Sequence, residues 1–544
     1  MGLLTLNEDR PTPPCVYNAR VYTCAAVASF CAVMIGYDSA FIGGTLALSS
    51  FKNEFNWLQY SKTEANLITE NIVSLYQVGA FFGAFFAYAA GHYLGRKKGL
   101  QIFSGVFILG AGLMLGANGD RGLGLIYGGR VLAGIGVGAA SNLTPIYISE
   151  LAPPAIRGRL VGLYELGWQV GGVVGFWINY GVSVTMEESH SQWIIPFAVQ
   201  IIPAGIMFVG LFFIRESPRW LMTRGNRQEG LENLCWIRKL HTDDMYMLEE
   251  VSAIDAALEA QRSSVGLGFW QPFKTLYNDR KVAYRFFLGC SLFFWQNTSG
   301  INAINYYSPT VFRSIGVTGS NTGLLTTGVF GIVKAVMTLV WLFFLIDNLG
   351  RRNLLMIGAL GGAICLYYVG GYIAIADPEN NPTVDGKLSS GGISAMAFFY
   401  LWTMFYTPSW NGTPWVYNSE MFPQNVRTLG QAFAAASNWL FNFLIARFTE
   451  QMFTKMKFGV YFFFASLMLC SIVFVFFLLP ETKGIPLESM DRLFSKELVS
   501  RHAHSIVMKE LSEDEEQFRT NIKGSGLTLD KDETGENKQH IEKV

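Results

Sequence analysis

The chain has 544 residues, 51% of them apolar and 15% charged, with a formal net charge of zero. Soluble proteins average about 25% charged residues, so the balance points to a membrane protein, and the neutral charge argues against a nucleic-acid partner. The first twenty residues are polar and proline-bearing and lack the apolar core of a cleaved signal peptide. Gly2 does not sit in a myristoylation context, because Leu6 stands where a hydroxyl residue is needed. A helix needs about 20 mostly apolar residues to cross a bilayer. Twelve such segments follow, at 22–47, 68–91, 99–117, 125–148, 159–183, 193–214, 284–312, 322–346, 353–375, 392–418, 427–449 and 458–479. They predict an all-α membrane protein. Its parts are a cytoplasmic N-terminus (1–21), a six-helix bundle (22–214), a helical linker (215–282), a second six-helix bundle (283–480) and a largely disordered tail (481–544). The 57 glycines would let apolar helices approach closely.

Lys and Arg cluster at 95–98, 157–159, 215–219 and 350–352, which would share the cytosolic side. The loops at 185–190 and 376–387 are mixed or acidic and would face outward, which leaves both termini cytoplasmic. Glycosylation sequons at Asn142, Asn297 and Asn411 fall inside spans, out of reach of the modifying enzyme. The seven cysteines show neither a disulfide framework nor a metal spacing. No cofactor motif, nucleotide loop or nucleophile–base pairing is present, which argues against an enzyme and against ATP-driven transport. GRVLAGIGVGAA contains GxGxG, but inside an apolar helix with no preceding strand, where close helix packing explains it.

The chain repeats itself. Glu150, Pro153 and Arg157 match Glu420, Pro423 and Arg427 at an offset of 270. LGRKK at 94–98 matches LGRRN at 349–353 at 255, and Glu216 matches Glu481 at 265. Three ordered pairs at nearly constant offset indicate a duplicated unit. Parallel repeats about the membrane normal describe the major facilitator fold. The paired charges at helix ends would form a gate that latches the cytosolic side: Gly95, Arg96, Glu150, Arg157, Glu216 and Arg219 in one half, Asp347, Arg351, Glu420, Arg427 and Glu481 in the other.

Several stretches carry a resemblance to the sugar-porter family: GRVLAGIGVGAAS, PIYISELAPPAIRGR, RESPRWL, QNTSGINAINYYSP, IDNLGRR, GTPWVYNSEMFP and PETKG. They cover nearly all of the chain from Tyr37 to Glu488. YELGWQVGGVVGFWINYG and FYTPSWNGTPWVYNSEMFP resemble the fungal quinate permeases in particular. The resemblance implies a secondary transporter of quinate or a sugar-like polyol, working as a monomer in the plasma membrane. A neutral hexose, pentose or polyol is the alternative cargo, and a non-transporting nutrient sensor the alternative class.

The resemblance also implies site residues. Gln296 and Asn302 of span 7 would hydrogen-bond substrate hydroxyls, beside Asn297 and Asn305. Trp410, Asn411, Trp415, Asn438, Trp439 and Asn442 match the family's positions in spans 10 and 11. Amides both donate and accept, which suits a polyhydroxylated ring. Pro408 and Pro414 would break span 10. Two residues depart from the family: Glu165 stands where sugar porters usually have Gln, and Lys334 at or beside a usual Asn. An ionisable group at mid-membrane costs about 2.5–3.5 kcal/mol even on the lenient scale. Lys334 would recognise a substrate carboxylate, or else pair structurally elsewhere. Glu165 would be its counter-ion, a hydroxyl acceptor or a proton site. Asp38 of span 1 and Arg130 of span 4 match the pair of proton-coupled members, so protons are the expected second cargo. His92 replaces an Asp that the second half keeps as Asp347, so the two halves differ at their gates.

Overall fold

The computed structural model describes residues 12–264, 266, 268–317, 320–378, 381, 388–423, 426–483, 485, 490–495 and 502–513. The start of the chain up to residue 11, most of the 376–387 loop and the acidic tail from 514 lie outside them. Among the described residues every regular element is a helix.

Local chemistry sets the helix ends. Span 1 (Ala19–Ala47) is capped by Asn18, whose side chain accepts from the backbone N–H groups of Arg20 and Val21. Span 2 (Lys62–Tyr93) opens on a reciprocal capping box between Ser61 and Glu64. Spans 2 and 3 (Arg96–Leu115) are separated by Gly95 at φ +95°, and spans 8 and 9 (Arg351–Ala376) by Gly350 at φ +82°. A side chain is strained at such angles, so the repeat reuses one turn. In span 4 (Gly124–Leu151), a Cβ on Gly134 or Gly138 would collide with the span 2 backbone at Tyr76 and Ala80. The GxGxG run is thus a close-packing seam.

Span 5 (Arg157–Thr185) and span 6 (His190–Phe213) complete the first half. Span 7 is two helices, Arg280–Asn297 and Ile301–Ile315, interrupted at Gly300 with φ +90°. Span 8 begins at Ser320–Val340 and widens into a π turn at Trp341–Leu345. Span 10 runs from Ser390–Tyr406 through a π turn at Thr407–Asn411 to Thr413–Met421. Its prolines widen the helix rather than ending it. Span 11 (Arg427–Met456) and span 12 (Gly459–Leu478) close the second half.

Eight of these helices are long and apolar enough to cross a membrane on composition alone. Spans 5, 7, 10 and 11 fall short of that measure. The seventh and tenth are interrupted, and the fifth and eleventh carry acids and amides along their length. These four hold Glu165, the span 7 amides, Asn411 and Asn438, while Lys334 lies on the apolar span 8.

One apolar core fills mainly the first half and a second fills the other. The halves meet where spans 2 and 11, 5 and 8, and 1 and 7 pack together. At the end opposite the Gly95 and Gly350 turns, Glu70 of span 2 crosses the seam: its carboxylate, wholly buried, accepts from Arg447 (2.8 Å) and Gln451 (2.9 Å) of span 11. The linker binds the first half, where Arg238 clamps Glu250 and donates to the Leu151 carbonyl. The linker also reaches the seam at Phe269, whose carbonyl accepts from Tyr88. Part of the tail departs from the expected disorder. Met490–Ser495 and residues 502–513 are helical, share an apolar cluster around Met490, Leu493 and Val507, and dock through an Asp491–Arg285 ion pair of 2.6 Å.

Candidate functional site

The breaks in spans 7 and 10 assemble the central polar cluster. Widening of the helix at Thr407–Asn411 frees backbone carbonyls, and a freed carbonyl inside a membrane needs a donor. Gln296, at the end of the first half of span 7, donates to the carbonyls of Trp410 (2.8 Å) and Asn411 (2.7 Å). Asn297 donates to the Asn438 side chain at 3.0 Å and accepts from Asn302. Four of the expected substrate residues are therefore joined through two adjacent positions of span 7.

Glu165 and Lys334 do not form an ion pair with each other. Each is held by an amide instead: Asn411 donates to Glu165 at 2.7 Å, and Lys334 donates to Asn305 at 3.3 Å. Both are buried, at 8% and 6% exposure. Lys334 also lies over the Phe330 ring. The Glu165–Asn411 bond joins the two halves.

Trp410 departs from the expected substrate contact. Its indole N–H donates to the Leu355 carbonyl of span 9 and its ring is buried in the second core. It reaches the cluster through its carbonyl. Trp415 takes the open aromatic position, 4.6 Å from Phe293 and 6.4 Å from Trp168 of the other half. Trp168 lay outside the sequence reading, although it follows Glu165 by three residues and so shares its helix face. Trp439 is fully buried with its indole N–H unpartnered, and Asn442 keeps an unpartnered carbonyl oxygen.

Asp38 and Arg130 meet at 2.6 Å with both side chains wholly inaccessible. Arg130 also donates to the Ile72 carbonyl and lies 4.5 Å from the centre of the Tyr76 ring. Asp38 Oδ2 and Arg130 Nη2 have no hydrogen bond of ordinary geometry. The Tyr76 hydroxyl reaches the same carboxylate.

The charged helix ends form two copies of one network. Arg96 grips Glu150 with Nε (3.0 Å) and Nη2 (2.8 Å), and donates from Nη1 to the Gly91 carbonyl. Arg351 donates to Glu420 (2.8 Å) and to the Ile346 carbonyl, again five residues back. Ser217 donates to Glu150 as Thr482 donates to Glu420. Glu216 receives the backbone N–H groups of Arg96 and Lys97, and Glu481 those of Arg351 and Arg352. Burial pushes the Glu216 carboxyl above its usual range, and the Lys97 and Ser217 N–H groups draw it back. Among the described contacts, the Arg96–Glu150 and Arg351–Glu420 pairs each lie inside one half and brace its bundle. Arg219 belongs to the same region, and Arg427 donates to the Phe422 carbonyl. The side chains of Arg157 and Asp347 lie outside the described residues. His92 sits against Phe269 of the linker, and its carbonyl accepts from Trp220 and Arg224.

Comparison with known proteins agrees with this architecture. The family described as sugar (and other) transporter matches residues 24–494. A probable quinate permease of Aspergillus fumigatus is 66% identical over 544 residues, covering 100% of this chain and 99% of that protein. A quinate permease of Emericella nidulans is 68% identical over 526 residues, covering 97% and 98%. Among solved structures, the major facilitator superfamily proton:xylose symporter XylE bound to 6-bromo-6-deoxy-D-glucose superimposes with a TM-score of 0.72 at 27% identity, covering 88% of this chain and 99% of that one. The partially occluded inward-open form of XylE from E. coli gives 0.71 at 26% identity, covering 86% and 100%. The chain is a multi-pass membrane transporter of the major facilitator fold and belongs to the sugar (and other) transporter family.

Proposed function

We propose that the protein imports quinate, a polyhydroxylated cyclohexane carboxylate, across the plasma membrane together with a proton, by alternating access, with both termini in the cytosol. The observation that carries the cargo is Lys334. It is a buried cation at the seam whose hydrogen bond is to the neutral amide of Asn305, with Glu165 acting on it electrostatically but not in direct contact. A buried cation without a direct carboxylate partner is costly, and a substrate carboxylate would supply one. The names of the relatives agree with an anionic polyol cargo. The amides Gln296, Asn297, Asn302 and Asn438 would then exchange protein partners for ring hydroxyls, and Trp439 would offer its free N–H.

Asp38 supports proton coupling. A proton on its carboxylate would cancel the charge that holds Arg130 and let span 1 move against span 4. One proton with a singly charged quinate carries no net charge, so a pH gradient would drive uptake by ~1.4 kcal/mol per unit. The membrane potential, ~2.3 kcal/mol per charge per 100 mV, would act only if further protons moved.

The test is binding and counterflow of labelled quinate in Lys334→Gln. A hydrogen bond to a charged group is worth about 1.5–3 kcal/mol, so affinity falls about 10- to 100-fold. Unchanged affinity removes the carboxylate role. The same amides suit a neutral sugar, and that second reading predicts that glucose or xylose competes as well as quinate and is indifferent to the substitution.

A further inference from the structure

The proton pair lies in the first half and the span 7 amides lie in the second, so symport needs a contact that carries the state of one to the other across the seam. We infer that Tyr76 is that contact: a positioning residue that couples Asp38 and Arg130 to the substrate amides. This rests on the symport reading above.

Tyr76 lies on span 2, fully buried. One side of its ring takes the Arg130 guanidinium, 4.5 Å from the ring centre. The ring also meets Trp439 of span 11 at 6.1 Å and 84°, edge to face. The residue before Trp439 is Asn438, which accepts from Asn297 at 3.0 Å. A continuous set of contacts therefore runs from Asp38 through Arg130, Tyr76 and Trp439 to Asn438 and Asn297. The only step that crosses between halves along it is the meeting of Tyr76 with Trp439.

The backbone at Tyr76 is tightly packed. Gly134 of span 4 packs so closely on the Tyr76 carbonyl that a Cβ there would collide with it. The ring is the part left to move. Asp38 faces Arg130 of span 4, Tyr76 of span 2 and Tyr37 of its own helix, and Arg130 is the charge among them. When a proton neutralises Asp38, Arg130 keeps the Ile72 carbonyl and the Tyr76 ring as its remaining partners. The ring then shifts against Trp439, whose unpartnered N–H faces the same decision about substrate.

The full-length protein is reconstituted in liposomes, and two quantities are measured with labelled quinate: accumulation driven by an imposed pH gradient, and counterflow without one. Their ratio reports coupling and cancels differences in the amount of folded protein. Tyr76→Leu and Tyr76→Met remove the ring, and each lowers the ratio about tenfold, within the usual range of coupling between sites. Tyr76→Phe removes the hydroxyl that reaches Asp38 but keeps the ring, and keeps the ratio. Adding Tyr76→Leu to Asp38→Asn lowers the ratio no further than Asp38→Asn alone, because both cut the same connection. Wild-type accumulation together with an unchanged ratio in both ring-less variants overturns the role of Tyr76 and leaves symport standing. A wild type that shows no gradient-driven accumulation removes symport and this role together.

Discussion

Lys334 and Glu165 are each satisfied by an amide, and the distance kept between them matters more than their presence. A direct pair would leave neither group a free hydrogen-bonding site for a ligand. Engaged by Asn305 and Asn411 instead, they would offer, in the proposed site, a cation to a carboxylate and an acceptor to a hydroxyl. Asp38 is the residue on which the proposed proton coupling rests, because its carboxylate holds Arg130. Asp38→Asn keeps the shape but cannot exchange a proton. Gradient-driven accumulation of quinate in that variant falls about tenfold or more, and the remaining uptake ignores a protonophore. Uptake that stays protonophore-sensitive in Asp38→Asn contradicts proton coupling at this residue. Lys334, Glu165, Asp38 and Arg130 were legible in the sequence because an ionisable residue in an apolar run is conspicuous. Trp168 and Tyr76 were not, since an aromatic in a membrane helix reads as packing until its neighbours are known. The direction of Trp410 was hidden for a different reason: a π turn rotates every side chain that follows it, and its carbonyl became the useful atom.

The helices explain why two short motifs recur. Gly95 and Gly350 adopt positive φ, and each turn aims two backbone N–H groups at one carboxylate, Glu216 or Glu481. A Cβ at either glycine would press on that carboxylate, at 2.5 Å from Glu216 Oε2 and 2.7 Å from Glu481 Oε2. Gly350→Ala therefore adds about 1–3 kcal/mol of positive-φ backbone strain and displaces Glu481. The melting temperature in detergent falls by several degrees, and Gly95→Ala behaves alike. A Gly350→Ala protein as stable as wild type contradicts this account of the turn. The repeat was legible at this scale because its charges sit at fixed offsets. The breaks at Gly300 and Thr407–Asn411 were partly legible, the first from its glycine and the second from its prolines. The helices of the tail were not, because their apolar residues are sparse and their anchor, Arg285, lies more than 200 positions away.

At the scale of the molecule, a charged contact joins the halves at the end away from the Gly95 and Gly350 turns. Among the described residues the Arg96–Glu150 and Arg351–Glu420 pairs lie within their halves, while the Glu70–Arg447 pair crosses the seam. No motif marks it, and its partners are 377 residues apart, so it was invisible to sequence. Opening that end requires the pair to part. Glu70→Gln weakens the closed state by about 1.5–3 kcal/mol, so a cysteine placed beside the seam at that end labels faster with an impermeant reagent. Exchanging the two residues, Glu70→Arg with Arg447→Glu, restores slow labelling. Unchanged labelling in Glu70→Gln contradicts the role of the pair in closure. The whole account rests on a protein that moves an anionic polyol with a proton through a path between two repeated halves. The most direct test is accumulation of labelled quinate by the purified protein in liposomes under an imposed inward proton gradient. The account predicts accumulation that a protonophore collapses and that excess unlabelled quinate, but not glucose, suppresses. Transport that ignores the protonophore, or that glucose blocks as well as quinate, would contradict it.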